Sequence, residues 1–200
     1  MLFRSNLLGV VQAMASRMME NSESLEDFRA DFEERLRALS RVQGLLAKVD
    51  YGLFPLIAMV EAELTAHGDE DLGPGKVRIA GPDVLLQPAA AQTLALGLHE
   101  LATNALKYGA LAQPAGKLSI TWDIERTDRQ HFLVLDWHES HVEMPDEAIA
   151  RRRGYGTELI ERALAYQLKA ASRLQFGKDG VRCIIRLPIP DAGAIEATAA

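Results

Sequence analysis

The sequence predicts an α+β protein, in which a helical hairpin precedes an α/β sandwich built from a mixed sheet with helices on one face. Two observations predict this. Over residues 1–50 apolar side chains recur at spacings of three and four, which is helical patterning. Beyond Asp50 helical stretches are interspersed with stretches of alternating apolar and polar residues, as expected of helices layered on a sheet. A chain of 200 residues, 48% hydrophobic, has room and apolar mass for one domain with an appendage or for two small domains.

The elements follow in order. Leu7, Val11, Met14 and Met18 form one apolar stripe. A break at Asn21 to Ser24 follows, where Ser24 suits the N-cap of the next helix and Glu26 and Asp27 complement its positive end. Phe28, Phe32, Leu36, Leu39, Val42 and Leu46 continue the helical spacing. Such a hairpin either completes a four-helix bundle by dimerising or leans on its own chain. A helix over about 53–66 leads to a turn-rich stretch and a short strand over 76–80. A long helix runs from Pro88 to about Tyr108, with Leu94, Leu98, Leu101, Ala105 and Tyr108 as its core stripe. Strands are expected through Leu118 to Ile124 and Phe132 to Trp137, then a helix over 157–169 and a terminal hairpin turning at Gly177 to Gly180. The expected division is a hairpin over 1–50, a sandwich over 51–190 and a disordered Ala-rich tail over 191–200.

Charge and composition exclude several functions. A net charge of −6 argues against a general nucleic-acid binder, which needs a basic face to displace counterions. One cysteine, Cys183, rules out a disulfide scaffold and points to a reducing compartment. No apolar run approaches about 18 residues and no leader pattern opens the chain, so a cytoplasmic protein without membrane spans is expected. His138 and His141 share a loop without further ligand spacing, which disfavours zinc, and no nucleophile elbow supports a hydrolase.

Three segments carry chemically suggestive residues. In His99-Glu100-Leu101-Ala102-Thr103-Asn104-Ala105-Leu106-Lys107-Tyr108-Gly109-Ala110, the side chains of Glu100, Asn104 and Lys107 form a second helical stripe about 100° from the core stripe. A carboxamide oxygen suits Mg²⁺, an ammonium offsets phosphate charge and a carboxylate orients a water or nucleophile. The same spacing also suits a solvated polar face. Before the next helix, Gly154 and Gly156 let backbone N–H groups approach an anion, with Arg151, Arg152 and Arg153 beside them, although such a pair is common in loops without ligands. In Leu135-Asp136-Trp137-His138-Glu139-Ser140, carboxylates leave a strand, either to accept from an exocyclic amine or only to end it.

In this order and spacing, the segments resemble the ATP-binding domain of the HWE family of sensor histidine kinases, within the GHKL ATPases. His99 to Ala110 looks like the family's N box, Trp137-His138-Glu139 like its W-x-E, and Gly154-Tyr155-Gly156-Thr157-Glu158-Leu159-Ile160 like its G2 box. The stretch from Leu7 to Met18 resembles the first helix of its dimerisation and phosphoacceptor hairpin. The resemblance implies a Bergerat-type sandwich that holds ATP between the N-box helix and a lid. It implies that Asn104 ligates Mg²⁺, that Glu100 and His99 are catalytic, and that Lys107 and Tyr108 line the phosphates and lid edge. Glu139 takes the adenine-recognising position, and Arg153, Gly154, Gly156 and Thr157 belong to the lid. The implied chemistry is phosphoryl transfer to a histidine and then to a response-regulator receiver domain, with a homodimer through residues 1–50.

Two departures accompany the resemblance. The family's phosphoacceptor histidine aligns with Leu2 or Met1, and the first histidine is His67, so a chain without its usual acceptor is expected. The Gly-Gly-Pro that follows W-x-E in the family is replaced by Ser140-His141-Val142-Glu143-Met144-Pro145, which sets bulky residues where the backbone passes close to adenine. These departures support an alternative, a non-enzymatic pseudokinase or adaptor that binds a response regulator or partner kinase.

Overall fold

The computed structural model describes residues 24–46, 53–66, 75–128, 130–144 and 168–190, together with 9, 11, 12, 14–16, 18, 19, 22 and 164. The expected lid motif, the start of the first helix and the tail at 191–200 lie outside the described residues.

The N-terminal helices form as their stripes predict. The described positions between 9 and 19 are helical, and helix α1 spans Leu25–Leu46. Ser24 caps α1, because its Oγ accepts from the Asp27 N–H at 3.0 Å and donates to Asp27 Oδ2 at 2.6 Å. Phe28 and Phe32 stack one turn apart, with ring centroids 5.4 Å from each other. Met14, Met18 and Leu39 bury themselves together against Leu96 of the long helix, and Val42 joins the main core. Met14, Met18, Leu39 and Val42 of the hairpin stripe therefore pack on their own chain.

Strand β1 (Phe54–Pro55) precedes helix α2 (Leu56–Thr65). The helix begins three residues later than its apolar pattern suggests, because Pro55 stands extended at its N-cap with φ −64° and ψ 127°. After β2 (Val77–Ala80) and β3 (Leu85–Leu86), helix α3 runs over Pro88–Lys107, with Pro at its first turn. Strands β4 (Lys117–Arg126), β5 (His131–Ser140), β6 (Ala171–Phe176) and β7 (Val181–Ile189) complete the described elements.

The main sheet has the order β2-β4-β5-β7-β6, and β1 pairs with β3 in a small separate ladder. Only the β2–β4 pairing of the main sheet is parallel, and the crossover between those strands carries α3. Alternation sorts the faces. Leu118, Ile120, Leu133, Leu135, Trp137, Cys183 and Ile185 point into one core with Leu94, Leu98, Leu101 and Ala105 of α3. On the other face Arg182 grips Asp136, and Arg186 grips Glu125 while lying over the Phe132 ring. Among the described residues no helix is long and apolar enough to cross a membrane.

Strand β5 corrects one expectation, since it continues past Trp137 to Ser140 rather than ending. Asp136 therefore faces away from Trp137 and Glu139 instead of leaving the strand with them. The polar residues extend the strand because each face offers a partner, Arg182 for Asp136 and buried donors for Glu139.

Candidate functional site

The last three turns of α3 send polar side chains in three directions. His99 turns towards α2, where its Nδ1 lies 3.3 Å from Glu63 Oε2, and Arg41 of α1 reaches the same oxygen at 2.9 Å. Burial alone pushes the Glu63 carboxyl up, but the bonds and charges of His99 and Arg41 outweigh it and hold the carboxyl below its usual range. Glu100 turns towards α1. Its Oε1 lies 2.6 Å from Arg35 Nε and its Oε2 accepts from Arg35 Nη2 at 2.8 Å, a two-pronged pair with both side chains buried. Asn104 and Lys107 stand exposed on the same side as Glu100, one and two turns further along.

These placements revise the expected site. His99 is not on the side of Asn104: it is buried, with its Nδ1 beside the Glu63 carboxylate. Glu100 does not share a solvated face with Asn104 and Lys107, because Arg35 covers it. Tyr108, expected in the core stripe, is 68% exposed. The helix ends at Lys107, and Tyr108 leaves helical geometry at φ −138°, so the stripe's period no longer aims it inward.

Beyond Tyr108 the chain is clamped by Glu139. One carboxylate oxygen accepts from the Ala110 N–H at 2.8 Å and the other from Trp137 Nε1 at 3.0 Å. Desolvation raises the Glu139 carboxyl above its ordinary value, and the two bonds and the His138 charge only partly oppose this. Two glycines make room for it. A Cβ at Gly109 would strike Glu139 Oε2 and lie 2.8 Å from Ala105 Cα, and a Cβ at Gly180 would strike the Glu139 backbone. Gln113 then pins the next segment, accepting from the Glu143 N–H at 2.8 Å and donating to the Glu143 carbonyl at 3.2 Å. Val142 donates to the Asp179 carbonyl, 2.9 Å away. His141 has φ 57°, so this glycine-free segment still adopts a left-handed turn there.

Asn104 and Lys107 fit a Mg-nucleotide. Both are exposed, and among the described residues neither is hydrogen-bonded to another side chain, so a carboxamide oxygen and an ammonium are presented together. Among the described residues no group of three or more His, Cys, Asp or Glu could hold a metal ion, so Mg²⁺ here would draw most of its ligands from phosphates and water. Arg153, Gly154, Gly156 and Thr157 lie outside the described residues. Sequence reasoning missed Arg35, Arg41 and Glu63. A signal existed, because Arg35 falls between Phe32 and Leu39 on the apolar stripe and Glu63 falls one turn after buried Met59. A charge at such a position needs a buried partner.

Comparison with known proteins agrees with this architecture. The family profile described as HWE histidine kinase matches residues 4–83. The blue-light-activated histidine kinase of Brucella ovis is 30% identical over 184 residues, which are 92% of this chain and 37% of that protein. Its counterpart in Brucella anthropi is 32% identical over 187 residues, again 37% of its length. The chain thus spans little more than a third of these relatives. Among solved structures, the Erythrobacter litoralis EL346 blue-light activated histidine kinase superposes with a TM-score of 0.61 at 18% identity, covering 90% of this chain and 62% of that one. The catalytic domain of histidine kinase ThkA gives a TM-score of 0.50 at 16% identity, covering 70% of this chain and 96% of that one. By the family match and this homology, the chain is related to the HWE histidine kinases over the matched residues and has the fold of a histidine kinase catalytic domain.

Proposed function

We propose that this chain is the hairpin and ATP-binding core of a two-component histidine kinase, which binds Mg-ATP for phosphoryl transfer to a histidine and onward to a response-regulator receiver domain. The observation that carries the reading is the pair Asn104 and Lys107, exposed together on α3 within the segment that resembles an N box. ATP supplies the γ-phosphoryl group, and its transfer needs positioning and charge neutralisation more than covalent help from the protein. Asn104 offers Mg²⁺ a hard oxygen, Lys107 offsets phosphate charge, and Tyr108 borders the lid. Glu100, once free of Arg35, orients the attacking group. Glu139 accepts one bond on each oxygen and keeps acceptor capacity for an exocyclic amine of adenine. Arg153, Gly154, Gly156 and Thr157 close the lid over the phosphates. Residues 1–50 contain no histidine, so the acceptor imidazole lies outside that segment, which serves to dimerise and to receive the regulator. We place the protein in the cytoplasm.

The two-pronged Arg35–Glu100 pair favours a second reading, an adaptor that keeps the fold without turnover. Calorimetric titration with Mg-ATP separates the readings. The kinase reading expects measurable binding that Asn104→Ala weakens at least about tenfold, the loss of about 1.4 kcal/mol of metal and phosphate contact. Heat flat within error both for the wild type and for Arg35→Gln, which frees Glu100, would leave only the adaptor.

A further inference from the structure

Glu100 is the one side chain of the Glu100, Asn104 and Lys107 stripe that another element holds. Arg35 occupies both of its oxygens, at 2.6 and 2.8 Å, and both side chains are buried, at 9% and 6% exposure. In that state Glu100 has no free charge to direct at a phosphate. Arg35 also has a second place to go. Its Nη1 donates to the Asp31 carbonyl at 3.0 Å and lies 3.6 Å from Asp31 Oδ2, a half-exposed carboxylate on the same helix. A guanidinium poised between one carboxylate on its own helix and another on the N-box helix gives α1 two charge-satisfied arrangements. Arg41 differs, because it ties α1 to Glu63 of α2 and so on the side away from Asn104.

We infer that Arg35 is an autoinhibitory latch: with α1 docked it neutralises Glu100, and engagement of a Mg-nucleotide by the N-box helix works against docking of α1. The inference rests on the proposed nucleotide site. Linkage makes it reciprocal, since whatever opposes docking must be opposed by docking to the same factor. The Met14, Met18, Leu39 and Leu96 contacts supply the apolar part of the docked state, so release exposes the backbone amides of α1 to solvent.

The test measures hydrogen exchange of residues 25–46 in the wild-type chain with and without saturating Mg-ATP, beside calorimetric affinities. The latch expects Mg-ATP to speed exchange of α1 by at least about fivefold, the lower end of ordinary allosteric coupling. In Arg35→Gln that acceleration vanishes and Mg-ATP affinity rises by a similar factor. Arg35→Lys keeps one charge without the fork and falls between the two. Binding of Mg-ATP with α1 exchange unchanged or slowed overturns the latch and leaves the kinase reading standing. Binding in Arg35→Gln but not in the wild type supports a latch that is fully closed. Absence of binding in both removes the nucleotide site and the latch with it.

Discussion

Replacing Gly109 by alanine tests the clamp at the end of α3. The added Cβ would strike Glu139 Oε2 and come within 2.8 Å of Ala105 Cα and 3.0 Å of Glu139 Cδ. Neither neighbour yields easily, because one is helix backbone and the other is a buried carboxyl fixed by Ala110 and Trp137. Overpacking of this kind costs about 1–3 kcal/mol. Displacing Glu139 leaves the buried Ala110 N–H without its acceptor, about 1–3 kcal/mol more. For a chain of this size each kcal/mol lowers the melting midpoint by about 2–4 °C, so Gly109→Ala should melt roughly 5–20 °C early. Calorimetry on the wild type, Gly109→Ala, Glu139→Ala and the double variant separates the two contributions. Glu139→Ala removes the oxygen that the new methyl strikes, so the double variant should be more stable than additivity predicts by about 1 kcal/mol or more. A midpoint for Gly109→Ala within about 2 °C of wild type, or strict additivity in the double variant, would refute the clamp.

Two further outcomes follow from the same segment and its buried carboxylates. His141→Gly should raise the unfolding free energy read from denaturant titration by about 0.5–1 kcal/mol, because relief of a left-handed φ worth about 1–2 kcal/mol exceeds the added chain entropy of glycine; an unchanged or lower value would show the turn to be unstrained. The pH dependences of Glu63 and Glu139 should run in opposite senses. Glu63 has a lowered folded pKa, so its contribution is present above the ordinary value of 4.5 and is lost as pH falls through the folded value. Glu139 has a raised one, so its contribution is present below 4.5 and is lost as pH rises through the folded value. Stability measured against pH should therefore lose its acid-side fall partly in Glu63→Gln and its fall above 4.5 in Glu139→Gln, and parallel profiles for the two variants would contradict the burial argument.

Periodicity read the long elements well because their burial is one-sided. Leu94, Leu98, Leu101 and Ala105 pack on the sheet as their spacing requires, and the alternation of Leu118, Ile120 and Trp122 gives β4. It failed where a polar residue is buried by a distant partner. Glu100 looked solvated because Arg35 is 65 positions away in the chain, and β5 looked shorter because the donors that satisfy Glu139 include the Ala110 N–H, 29 positions away. Tyr108 failed for a local reason, since one residue past a helix end the 3.6 period has no authority. The residues of the proposed nucleotide site were visible as a motif, but their states were not, because charge pairing across elements leaves no local pattern.

The single parallel pairing among the described strands of the main sheet couples its edge to the long helix. The other pairings, β4–β5, β5–β7 and β6–β7, are antiparallel, whereas β2 meets β4 only after the chain has passed through the small β1–β3 ladder partner and all of α3. Strand β2 spans four residues and sits at the sheet edge, so only a few ladder bonds hold that edge. The crossover that brings β2 beside β4 is also the segment that carries Asn104 and Lys107 on α3, so one connection joins the sheet edge to the proposed nucleotide site.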